Sequence, residues 1–71
     1  MDIIIAKKSL YEKLKSFQEV MGAGIQEKNG QEYIVIFLSK ASKTILDKIP
    51  HEFGGNRVEA QITGSVRAFN A

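Results

Sequence analysis

The sequence predicts an α+β fold: a two-layer sandwich in which two helices cover one face of a four- or five-stranded mixed sheet, in the order (β)αββαββ. Three observations predict it. Asn29-Gly30 sits between two apolar runs, the strongest short signal for a hairpin closed by a two-residue type I′ turn. Ahead of it, Leu10, Leu14, Phe17 and Met21 recur at helical spacing. After it, Val58, Ala60 and Ile62 alternate with Arg57, Glu59, Gln61 and Thr63, as in a half-buried strand.

At the start, Ile3-Ile4-Ile5 is a β-branched run, which favours an extended segment. A helical extension is the alternative, because Ile3, Leu10, Leu14 and Phe17 keep a helical stripe. If residues 3–5 form a strand, the first six elements take the ferredoxin-like order βαββαβ. Ser9 and Glu12 fit a capping box, so the first helix is expected from Ser9 to about Val20, with Gly22 as its stop.

The Asn29-Gly30 turn fixes the hairpin register. Lys28 opposes Gln31, and the pairs continue to Gly22 opposite Phe37. Side chains alternate faces along each strand. One face holds Ala23, Ile25, Ile34, Ile36 and Leu38. The other holds Gly22, Gly24, Gln26, Tyr33, Val35 and Phe37.

A short second helix follows, with Ser39 or Ser42 as its cap and Ile45, Leu46 and Ile49 as its apolar edge. Pro50 closes it. Residues 53–56, Phe-Gly-Gly-Asn, read as a loop. The helical connection makes strand 57–63 parallel to strand 32–38, with a right-handed crossover. Thr63-Gly64 turns the chain into a last strand, Ser65 to Phe69.

Seventy-one residues form a single domain, 1–71. A chain this short buries only about 60% of the surface it exposes when unfolded, so its core is small. Hydrophobic content of 44% and charged content of 25% suit a globular domain rather than a disordered chain. The net charge is +2 and the ten basic residues are dispersed, with only Lys7-Lys8 adjacent. A nucleic-acid binder usually concentrates its charge more than this. No segment approaches the roughly 18–20 apolar residues of a membrane span, and Met1 to Ala6 lacks the basic n-region of a signal peptide. The expectation is a soluble, complete chain in the cytoplasm, a location with which the absence of cysteine agrees.

Certain pieces together resemble a known set of proteins. They are Gly22-Ala-Gly-Ile25, the hairpin to Leu38, Lys48-Ile-Pro50, Gly54-Gly55-Asn56-Arg57-Val58, and Thr63-Gly-Ser-Val-Arg-Ala-Phe69. Over residues 20–70 they resemble small bacterial domains of unknown function that occur alone or beside trypsin-like serine peptidases. Asn56-Arg57 departs from the hydrophobic-Pro pair usual there. The resemblance implies a non-catalytic accessory or interaction domain and carries over no functional residues.

Catalytic and metal chemistry find little support in the residues. Nucleophilic catalysis needs a base and an orienting group beside the nucleophile. The one histidine, His51, sits with Glu52 in a loop, which reads as a solvated pair. One His, no Cys and eight scattered carboxylates give no metal-ligand spacing, so neither metal nor cofactor is expected. Glu27 and Glu32 oppose one another near the hairpin tip, where like charges are mildly destabilising and solvation relieves them. The Gly22–Gly24 run follows a helix and opens a strand, the reverse of a phosphate loop. Its glycines are expected to pack against Phe37 and Val35.

The sheet face away from the helices is then expected to expose Tyr33, Val35 and Phe37, joined by Arg67 and Phe69. An exposed apolar patch of that kind marks an interaction surface; the alternative is partial cover by the N-terminal segment or by long Arg and Gln stems. The expected function is protein binding, including self-association as a homodimer, with no catalysis. Single-stranded nucleic-acid binding on the same face is the second reading, because aromatics beside Arg57 and Arg67 suit base stacking. No RNP1-type segment accompanies them.

Overall fold

The computed structural model describes residues 2–63. It is an α+β, two-layer structure with helices α1 (Ile3–Leu14) and α2 (Lys43–Leu46) and strands β1 (Val20–Lys28), β2 (Gln31–Leu38), β3 (Glu52–Phe53) and β4 (Asn56–Ile62). The sheet order is β1-β2-β4-β3.

The N-terminal isoleucines are helical, which overturns the extended reading and the ferredoxin-like order with it. Asp2 supplies the cap in place of Ser9: its Oδ1 accepts from the Ile4 N–H at 2.8 Å, as an N-cap carboxylate does. Capped there, the chain buries Ala6, Leu10 and Leu14, with Ile3 packed beside them. Burying that stripe outweighs the few tenths of a kcal/mol by which β-branching disfavours each helical isoleucine.

The helix also ends earlier than the stripe suggests. Phe17 reaches the core from a turn and Val20 from the first position of β1. Val20 pairs with Leu38 and Gly22 with Phe37, so Met21 is a β-bulge and its side chain is 57% exposed. Sheet pairing wins over helical periodicity here.

The hairpin register is as the turn dictates, from Lys28↔Gln31 to Gly22↔Phe37. Asn29 and Gly30 have φ of 54° and 80°, the left-handed values that a type I′ turn needs. Strand β2 is central, antiparallel to β1 and parallel to β4. Four of the five largest fully buried side chains, Ile34, Val35, Ile36 and Leu38, lie on it, so β2 is the axis of the fold. The fifth, Ile45, is the anchor of α2. Ser42 occupies the α2 N-cap without a side-chain hydrogen bond.

Residues 53–56 are not a plain loop. Gly54 and Gly55, at φ 61° and 82°, close a second two-residue hairpin that pairs Glu52 with Arg57 and Phe53 with Asn56. This tiny strand, β3, is pinned from above: the Lys13 ammonium lies 5.7 Å from the centre of the Phe53 ring. The expected last strand, Ser65 to Phe69, lies outside the described residues.

Candidate interaction surfaces

Helix α1 packs on the face of the sheet formed by Ile34, Ile36, Leu38 and Val58. Tyr33, Val35 and Phe37 therefore point to the other face, as the alternation requires. That face is not the bare apolar patch expected. Val35 is only 1% exposed, although no helix among the described residues covers it. Tyr33 Oη donates to Gln26 Oε1 at 3.1 Å, and Gln26 Nε2 donates to Gln61 Oε1 at 3.4 Å. Gln26 stands beside Tyr33 on β1, and Gln61 beside Phe37 on β4. The amide bridge between them thus runs diagonally over Val35, and the glutamine stems seal it from water.

Phe37 is half-buried, and its ring lies on Gly24. A Cβ at Gly24 would come within 3.1 Å of Phe37 Cε2, whereas one at Gly22 would meet nothing. The close-packing reading of the glycines therefore holds for Gly24 against Phe37, its diagonal neighbour, and not for Gly22. The same face continues to Met21, whose Sδ is 4.0 Å from Thr63 Oγ1. Arg57 is paired with Glu59 at 2.8 Å, with side chains 70% and 38% exposed, a solvated pair of small energetic weight. Arg67 and Phe69, expected on this face, lie outside the described residues.

A second surface was not read from the sequence. It lies where α1 overhangs the outer side of β1. Ile4, Lys7, Lys8, Tyr11 and Ala23 line a groove of about 350 Å³ there. Ile4, Lys7 or Lys8, and Tyr11 follow one another at helical spacing, forming a stripe beside the one that enters the core. The signal was available: once Ile3–Ile5 is helical, Ile4 has no place in the core stripe and is left 62% exposed.

The lysines of this region divide in two. Lys15 is held at 2.7 Å by Glu12, and the hydrogen bond lowers the Glu12 carboxyl below its ordinary range and raises the Lys15 ammonium. Lys13 is over Phe53. Lys7 and Lys8 have no ion pair within 4.0 Å among the described residues.

His51 and Glu52 are exposed and border a shallow recess with Gln31, Glu32 and Arg57. His51 contributes its backbone oxygen, which accepts from the Val58 N–H at 2.9 Å. Among the described residues, no cluster of three or more His, Asp and Glu side chains is placed to hold a metal ion, and no helix is long and apolar enough to cross a membrane. No protein-family model matches the chain, and no curated protein or solved structure matches it.

Proposed function

We propose that this chain is a non-catalytic protein-interaction domain that self-associates through the sheet face opposite α1. The supporting observation is the half-buried Phe37 ring packed against Gly24, continued by Tyr33 on one side and the 57%-exposed Met21 on the other. Val35 lies beneath the glutamine bridge and supports this surface from below. An accessory role beside a bacterial serine peptidase, which the resemblance implies, and a cytoplasmic location, which the cysteine-free sequence favours, belong to the same proposal.

The test is Phe37→Lys, followed by light scattering over a range of protein concentrations. Weaker association with an unchanged circular dichroism spectrum is the expected result, and undiminished association counts against the face. The second reading, single-stranded nucleic acid stacked on Tyr33 and Phe37, draws on the recess where Lys28 and Arg57 flank Tyr33. It predicts binding that falls steeply with salt.

A further inference from the structure

Taking the chain as an interaction domain, we propose that a different surface from the sheet face, the outer edge of β1 with its groove under α1, binds an acidic protein segment in extended form. The segment adds to the sheet as a further strand.

The backbone makes the first half of the argument. In a two-residue hairpin the flanking pair, Lys28 and Gln31, exchanges both ladder bonds, and the alternation continues outward from it. Gly24 and Gln26 therefore bond toward β2, while the N–H and C=O groups of Ala23, Ile25 and Glu27 point away from the sheet. No described strand lies beyond β1. Natural sheets usually blunt such an edge with charge, proline or a covering element. Here Val20 to Gln26 carries no charge and no proline, and Gly22, Ala23 and Gly24 leave the backbone open to close approach. This suits strand addition, in which main-chain bonds give affinity and neighbouring pockets select alternate side chains.

The groove makes the second half. A strand laid against β1 would send every second side chain toward Ile4, Tyr11 and Ala23, an apolar floor, and toward Lys7 and Lys8, two unpaired cations. The nearby carboxylates do not neutralise them. Glu12 is engaged by Lys15 and acts on Lys8 only through its longer-range field. Glu27 belongs to the hairpin tip.

Charge then selects the occupant. The chain's own residues 64–71 carry Arg67 and no acidic side chain, so they would add positive charge to the groove. A second copy joined β1 to β1 would set the two α1 helices side by side across the dyad and oppose one Lys7-Lys8 pair with another. An acidic partner segment, with an apolar side chain between carboxylates two residues away on each side, satisfies both parts of the groove.

The test uses a capped seven-residue peptide with Val at its centre, Glu two residues to either side and Thr elsewhere. A control peptide has Lys in place of each Glu. Anisotropy titration of the labelled peptides against the full chain should show binding of the acidic peptide alone. Amide spectra should show protection of Ala23 and Ile25 on binding. Lys7→Glu with Lys8→Glu should weaken the acidic peptide by about tenfold or more and admit the basic one. Ile4→Asp, which leaves an exposed first-turn position still suited to a helix, should also weaken binding.

Equal binding of both peptides, no binding of either, or protection outside β1 would overturn the proposal. Light scattering on the same samples separates it from the sheet-face reading. A Phe37-dependent dimer that ignores the acidic peptide leaves that reading standing and this one refuted, whereas a monomer that binds the peptide at β1 supports this one alone.

Discussion

The two edges of the sheet are built in opposite ways. The β3–β4 edge begins with a two-residue strand bearing Glu52 against Arg57, is pinned by Lys13 over Phe53, and continues along β4 to Ile62. The β1 edge is nine residues long, uncharged through its first seven positions, and overhung by a helix that leaves an apolar groove with two unpaired lysines. At Asn56–Arg57 the β3–β4 edge is capped by a short charged strand, as edges that avoid pairing are, while the outer side of Val58–Ile62 pairs with no described strand. The β1 edge retains the features that favour pairing. The contrast is one of exposure: the β1 backbone is open to pairing, whereas on the flat face Gln26 and Gln61 already cover Val35.

Substitutions on the two edges should differ in sign and size. The largest effect is expected at Phe53→Ala, which removes the half-buried ring that fastens β3 to the core and to Lys13. It should cost about 2–3 kcal/mol in denaturant unfolding, below the range for a fully buried phenylalanine. Gly55→Ala attacks the same edge through the backbone. At φ 82° it should cost about 1–2 kcal/mol, read from the shift in urea midpoint.

On the β1 side the sign reverses. A Cβ at Gly22 meets open space and its φ is ordinary for a strand. Gly22→Ala should therefore stabilise by roughly 0.5–1 kcal/mol, while Gly24→Ala loses most of that gain to the Phe37 ring. The smallest effect is at the hairpin tip. Glu27 faces Glu32 across the ladder, so Glu32→Lys should stabilise by a few tenths of a kcal/mol, and the gain should shrink in high salt.

Much of this architecture can be read from the residues, and the failures share a cause. The Asn29-Gly30 turn determines the β1–β2 register by local chemistry alone, and Pro50 with the alternation of 57–63 suffices for the parallel crossover. Ile3–Ile5 misleads because β-propensity is a weak local preference, while the Asp2 cap and the burial of Ala6 and Leu10 act together over twelve residues. Met21 fits the helical stripe but becomes a bulge, because its neighbours are claimed by Leu38 and Phe37 across the sheet. Gly54-Gly55 carries the signature of the second hairpin, yet Glu52-Phe53 is too short for alternation to register as a strand.

The candidate surfaces divide in the same way. The placement of Tyr33, Val35 and Phe37 on one face follows from alternation. Cover by long Arg or Gln stems is the legible alternative, but the particular Gln26–Gln61 bridge is not legible, because it joins residues 35 apart in sequence. The α1–β1 groove was hidden by the misread first turn of the helix, on which Ile4 stands.

Amide hydrogen exchange on the dilute free protein shows whether the β1 edge is open. The outward amides of Ala23, Ile25 and Glu27 should exchange much faster than those of Gly24 and Gln26, which bond into the ladder. Equal protection of both sets at low concentration would mean that the edge is already covered and closed to a partner strand.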